Sequence, residues 1–320
     1  MPHHLADASF TAHEFLEGPY ARVPKEIGCA FTASLLVSPL VSIIDKAIVQ
    51  EITGVGSLMK SMGVACKEMV VKPKIFFNGL SFKMTFLVYF GTYAVANLSE
   101  AALDYYQTRD EGTRKFYKVG SASAANIGLL AWRDSVFARA FAAPGGKPPS
   151  TTPMRTIALF AARDSATMAA TFYFAPKCAD YLVTEHDWDP ELSEVSTALA
   201  VPVLSQFLTA PIHIHALDYY NRPVASMADR MSRISKELYA VCFARGLRVL
   251  PAFGIGSYSN NKFRELTIRQ PNEELLLKTK ITRRITQLQG VVKRRYTEKV
   301  VKVNRTMTEK VKKAKERGEI

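Results

Sequence analysis

Six apolar stretches set the limits on how this chain can fold: residues 28–50, 76–98, 119–141, 153–175, 195–220 and 238–258. Each is about 20 to 26 residues long, enough for a tilted helix to cross the ~30 Å hydrocarbon core of a bilayer. None is a clean apolar run. Lys83, Arg133 with Asp134, Arg163 with Asp164, Asp218, and Arg245 with Arg248 lie inside them or at their ends. Two packings accommodate this pattern. The stretches are core helices of a soluble all-α protein with their charges in water, or they span a membrane and turn their charges toward a water-filled cavity or one another. They are dense in Gly, Ala, Ser and Thr, which let helices approach closely in lipid. Pro39, Pro202, Pro211 and Pro251 also fall in them, and mid-helix proline is better tolerated in membrane helices than in soluble cores. These features favour the membrane packing.

Composition adds a second constraint. The net charge is +13, and it is concentrated at one end. Residues 271–320 hold 15 Lys/Arg against 6 Asp/Glu. Their apolar residues recur at 277, 281, 285, 288, 292, 296, 300, 303, 307 and 311, which predicts one long amphipathic helix with basic flanks and Asn272 at its start. Such a tail docks on an anionic lipid surface or on a protein complex. Its single aromatic, Tyr296, argues against a stacking platform for nucleic acid. A shorter basic amphipathic helix is predicted over 222–239, with a weaker one over 56–74, and residues 143–153 read as a loop.

Motifs for chemistry are missing. Cys29, Cys66, Cys178 and Cys242 are far apart, with no CxxC spacing that would make a disulfide framework or zinc site. His213 and His215, two apart, point to opposite sides of a helix and cannot chelate one ion. No phosphate loop, dinucleotide fingerprint or nucleophile triad stands out. The chain therefore reads as a non-enzyme with no cofactor. The first 20 residues carry no Lys or Arg, so neither a secretory signal nor an Arg-rich transit peptide fits.

An internal repeat is visible in the odd-numbered stretches. Pro39, Asn126 and Pro211 each follow a small residue and precede a branched apolar one, at spacings of 87 and 85 residues. A charge lies seven residues after each: Lys46, Arg133 and Asp218, with Asp45 and Asp134 beside the first two. The even stretches share a looser pattern around "FGTY" and "FGIGSY". Three repeats of two helices each describe this economically.

These residues resemble the mitochondrial carrier family, whose odd helices carry P-x-[DE]-x-x-[KR] around a kink. The resemblance covers roughly residues 26 to 265. In "FARGLRVLPAFGIGSYSN", Arg248, Pro251, Gly254 and Ile255 match the family's even-helix pattern. Arg163–Asp164 stands where that family has a substrate-selecting dipeptide, and Phe86 and Tyr89 hold the corresponding places in the second stretch. At the motif's acidic and basic places stand Val41, Gly128 and His213, and Ile44, Ala131 and Ala216, with charges one or two residues further on.

The resemblance implies an all-α bundle of six transmembrane helices in three repeats (26–115, 116–192, 193–270). A terminal extension (1–25) precedes it and the basic helical tail (271–320) follows. It further implies a multi-pass protein of the mitochondrial inner membrane, targeted internally, that moves a small anionic metabolite by alternating access. Arg163, Asp164 and Arg248 would contact the solute. Pro39, Asp45, Lys46, Asn126, Arg133, Asp134, Pro211 and Asp218 would form kinks and gate. The displaced charges leave a second reading open, a non-transporting structural or assembly protein that docks through its tail; a soluble helical scaffold is the third. Alkaline carbonate extraction divides them: a spanning bundle stays in the membrane pellet, and release into the supernatant would leave only the scaffold.

Overall fold

A computed structural model describes residues 19–106, 108, 110–142 and 151–316. Among the described residues every regular element is helical. The chain divides into two compact units, one ending at Ile268 and the other beginning at Arg269.

In the first unit, α1 (Pro19–Thr53) is followed by α2 (Leu58–Val71), α3 (Pro73–Asn78), α4 (Leu80–Tyr105) and α5 (Glu111–Ala140). Next come α6 (Met154–Ala169), a π-helical turn (Ala170–Phe174) and α7 (Ala175–His186). After α8 (Pro190–Leu204) and α9 (Gln206–Asn221), α10 (Met227–Leu250) runs through a second π turn (Pro251–Ser257) into α11 (Tyr258–Arg264). A third π turn (Glu265–Arg269) leads into α12 (Gln270–Glu316). Among the described residues the first helix begins at Pro19, within the stretch expected to be an extension. Residues 1–18, and most of the expected 143–153 loop, lie outside the described residues.

Local chemistry explains the breaks. Gly54 ends α1 with φ 75°, in the left-handed region open to glycine, and Val55 N–H returns to the Gln50 carbonyl at 3.0 Å. Asp110 caps α5 by accepting from Thr113 N–H at 2.7 Å, and hydrogen bonds from the Thr113 hydroxyl and N–H hold its carboxyl below the usual range. Asp189 caps α8 in the same way, accepting from Leu192 N–H at 2.9 Å, with Pro190 at the first helical position. Between α8 and α9 the cause is Pro202. It brings no N–H to the preceding turn, and its own carbonyl accepts from the Ser205 hydroxyl (2.7 Å) and from Gln206 Nε2 (2.6 Å).

Helices pack as successive neighbours: α1 on α4, α4 on α5, α5 on α6, α7 on α8, and α9 on α10. α10 then returns to α1, which closes the circuit. All six apolar stretches are helical, though not as six uniform rods. The fourth contains a π turn, and the fifth is broken after Leu204. The sixth is continuous with the basic segment before it, so the helix expected over 222–239 is the first part of α10. Asn126 interrupts nothing: it lies inside α5 and donates to Thr92 Oγ1 of α4 at 3.2 Å. Pro39 and Pro211 lie within α1 and α9. Asn272 sits inside a continuous helix and cannot cap it.

On α1, α8 and α9, large apolar side chains face outward while polar ones lie buried among apolar ones. On α1 the exposed side chains are Val23, Ile27, Phe31, Leu35, Leu36 and Leu40, while Glu26, Ser34, Ser38, Ser42 and Asp45 are buried. Along α8 and α9, Leu192, Val195, Leu199, Leu204, Phe207 and Leu208 face out, while Ser193, Thr197, Gln206, Thr209 and His213 face in. Water selects the opposite arrangement. Among the described residues three helical runs are, by length and composition, apolar enough to cross a membrane: Ala21–Thr53, Pro190–Asn221 and Met227–Lys313. Several buried serines and threonines donate to the preceding turn, as Ser34 does to Ala30 O and Ser38 to Ser34 O, both at 2.6 Å.

Close approach fixes two contacts. A Cβ on Gly91 would meet Leu129 of α5 at 2.5 Å. One on Gly256 would lie 2.1 Å from the Tyr93 hydroxyl, which donates to the Ala252 carbonyl at 3.3 Å. Tyr93 thus partners a carbonyl of the π turn, and Gly256 gives it room. Gly256→Ala should destabilise the detergent-solubilised protein by about 1–3 kcal/mol. Adding Tyr93→Phe should recover part of that loss, and a double variant no better than the sum of its parts would refute the contact.

Candidate functional site

The apolar core beside the site contains Ile44, Ala47 and Ile48 of α1, Phe137 of α5, Phe160 of α6, Ile214 and Leu217 of α9, and Val241 and Ala244 of α10. Against it lies a chain of buried charges drawn from four helices. Arg133 of α5 donates through Nε (2.9 Å) and Nη2 (2.7 Å) to Asp134 Oδ1, and through Nη1 to Asp45 of α1. Arg163 of α6 donates through Nη2 to Asp134 Oδ2 at 2.6 Å. It also grips its neighbour Asp164 through Nε (2.9 Å) and Nη2 (2.6 Å). Arg248 of α10 reaches Asp45 Oδ1 at 3.3 Å from the other side. The order is Arg248, Asp45, Arg133, Asp134, Arg163, Asp164.

All of these except Arg248 are buried. Arg133 and Arg163 also lie over the rings of Phe137 and Phe160, with guanidinium carbons 5.4 and 5.5 Å from the centroids. Charges this deep persist because each has an opposite partner and directed hydrogen bonds.

Beside this chain is a more neutral cluster. Arg245, buried on α10, donates through Nε to Gln206 Oε1 at 2.7 Å and through Nη1 to His213 Nδ1 at 3.1 Å. A guanidinium only donates, so Nδ1 must accept and the imidazole carries its proton on Nε2. His213 Nε2 is buried with no hydrogen-bond partner among the described residues, and so is Arg163 Nη1. The two side chains lie against the same Phe160 ring, His213 edge-on at 6.0 Å between centroids.

A second ionic layer closes the opposite end. Arg264 of α11 donates to Glu26 of α1 (2.6 Å) and to Glu100 of α4 (2.9 Å). Arg22 bridges Glu26 (3.1 Å) and Asp104 (2.8 Å), and Arg114 of α5 pairs with Asp104 at 2.5 Å. Nineteen residues separate Glu26 from Asp45 on α1, Arg114 from Arg133 on α5, and Arg245 from Arg264 along α10 and α11. On the two uninterrupted helices that spacing is about 28 Å at 1.5 Å per residue, close to the ~30 Å hydrocarbon core.

The structure therefore brings together Arg163, Asp164 and Arg248, and joins to them Asp45, Arg133 and Asp134. Others lie elsewhere. Lys46 turns to the surface and pairs with Glu68 of α2 at 3.6 Å. Asp218 belongs to a separate cluster, held by Arg222 (2.5 Å) and by Arg230 of α10 (2.8 Å). Sequence reasoning does not single out Gln206, His213 or Arg245 as functional groups. Their signal is spacing: Gln206 and His213, seven apart, share one helix face, and Arg245 and Arg248, three apart, share another. Among the described residues no cluster of His, Cys, Asp or Glu could hold a metal ion.

A model for a family described as Probable citrulline exporter matches residues 29–267, well over half of the chain. Among curated proteins and among solved structures, nothing matches. The family match overturns the resemblance to mitochondrial carriers. The physical reason lies at the motif positions: Val41, Ile44, Ala131 and Ala216 are buried apolar residues, so carrier-type charge pairs have nothing to form from. The ion pairs that do form use Asp45 and Arg133, which lie outside that register. The mitochondrial address rested on the resemblance alone.

Neutralising Asp134 should leave two buried guanidinium groups short of a partner. Asp134→Asn is expected to destabilise the protein by about 3–5 kcal/mol. Lys46→Met, which removes a half-exposed pair, should cost about 1 kcal/mol or less. Denaturant unfolding in detergent checks both, and equal effects would contradict the network's weight.

Proposed function

Because the chain belongs to the probable citrulline exporter family, we propose that it is a membrane exporter of an amino-acid-like solute, with citrulline the first candidate. The observation that carries this reading is the pair of ionic layers about one hydrocarbon thickness apart inside helices whose outer faces are apolar. Each layer joins several helices through ion pairs, and breaking one layer at a time would open the interior to one side while the other stays shut. The family description turns the expected solute from a small anion toward an amino acid, whose carboxylate retains an anionic group. The inner layer, which contains the proposed contacts Arg163, Asp164 and Arg248, offers both signs of charge to a zwitterion.

A second reading has its own observation. The 47-residue α12 leaves Leu277, Ile281, Ile285, Leu288, Val300, Val303, Met307 and Val311 at least 40% exposed along its length. That stripe suits an anionic lipid surface or a partner protein, as a structural protein docking through its tail would require.

Reconstitution decides between them. Liposomes carrying the full chain and preloaded with citrulline should take up labelled citrulline saturably, well above protein-free vesicles. No uptake of citrulline or of other amino acids would reject export. Loss of a co-purifying complex on ending the chain at Ile268 would then support the docking reading.

A further inference from the structure

Charge is not balanced in the inner layer. Asp45, Asp134 and Asp164 face Arg133, Arg163, Arg245 and Arg248, and the surplus falls on Arg245. Its side-chain partners are an amide oxygen and a neutral imidazole nitrogen, neither of which carries negative charge. A buried guanidinium cannot shed its proton to relieve this, and a buried charge without an opposite one is among the more expensive arrangements in a protein. Two further donors are left over beside it. The tautomer forced by Arg245 puts an N–H on His213 Nε2 that has no partner among the described residues, and Arg163 Nη1 likewise has none. Both belong to side chains lying against Phe160.

An uncompensated positive charge and two idle buried N–H donors, on three adjacent helices, make an incomplete site. We propose that Arg245, His213 and Arg163 Nη1 form a receptor for the carboxylate of a small organic acid, and that this carboxylate completes the inner layer. The assignment rests on the export reading only in naming the α-carboxylate of an amino acid as the occupant. It moves recognition away from Arg248, which is already paired with Asp45, and onto Arg245. Gln206 has a positioning role, since its Oε1 holds the Arg245 Nε while its Nε2 is anchored on the Pro202 carbonyl. The helix break after Pro202 thereby sets where the guanidinium points. Binding of the acid would supply the missing negative charge, so occupancy should tighten the layer.

Thermal unfolding of the detergent-solubilised full chain tests the site. The probes are citrulline, its amide (which lacks the carboxylate), ornithine and acetate. Citrulline should raise the Tm of the native protein and the amide should not. Arg245→Gln should fold with a Tm no lower than the native empty protein, because it removes a surplus buried charge, and should lose the response to citrulline. Arg245→Lys should retain part of that response, and His213→Phe should weaken it about tenfold or more. The assignment is overturned if acid and amide act alike, if Arg245→Gln responds as the native chain does, or if no carboxylate raises the Tm. The export reading fails separately. An Arg245-dependent Tm response without transport in liposomes would leave the site and reject the exporter. Transport by Arg245→Gln with an unchanged KM would do the reverse.

Discussion

The salt bridge between Asp45 and Arg133 is the contact that joins the two halves of the charge chain beside Phe137 and Phe160. It ties α1 to α5, and its two residues then recruit Arg248 on one side and Asp134 with Arg163 on the other. Without Asp45, Arg133 and Arg248 would lose a shared carboxylate, and the charge beside Phe137 would have to be carried by Asp134 alone. This is how the chain holds so many ionised groups away from water. Each is one member of an alternating series, and the cost of burying any single member is offset only while its neighbours stay in place.

That requirement organises the exterior as well. Because serines, threonines, acids and arginines occupy the inward faces, the outward faces of α1, α8 and α9 are left to valine, leucine, isoleucine and phenylalanine. A bilayer accepts such a surface and water does not. Small residues then set how closely the helices approach. Gly91 lies against Leu129 and Gly256 against Tyr93, and in the second case the side chain that fills the gap also donates to the Ala252 carbonyl of the π turn.

Length and overall apolarity were enough to find the main helical stretches, since some ~20 mostly apolar residues admit few alternatives. They were also enough to single out Asp45, Arg133, Asp134, Arg163, Asp164 and Arg248, because a charge inside an apolar stretch is conspicuous. Pairing was not legible. Arg133 meets Asp45 across 88 residues, and nothing in local spacing states which acid a buried base will find. The repeat in Pro39, Asn126 and Pro211 misled on family, because helices rich in alanine and serine align readily at any register. Asn126 turned out to bind Thr92 rather than bend its helix. Gln206 and His213 were hidden for another reason: neutral side chains in an apolar run look like filler until the arginine that uses them is placed in space.

The distance along the chain between Asp45 and its partners has a consequence for biogenesis. Translation proceeds at roughly 5–20 residues per second, so α1 emerges roughly 4 to 18 seconds before Arg133 exists. During that interval Asp45 has no guanidinium to meet, and an unpaired aspartate in an inserted helix costs up to about 2.5–3.5 kcal/mol on insertion scales, less toward the helix end where Asp45 lies. The rest of α1 is apolar enough to insert regardless, yet its lower end would be held at the interface until α5 arrives. Membrane entry and ion pairing are thus coupled in time: the first helix can be committed early, but it is anchored only when the fifth delivers its arginine.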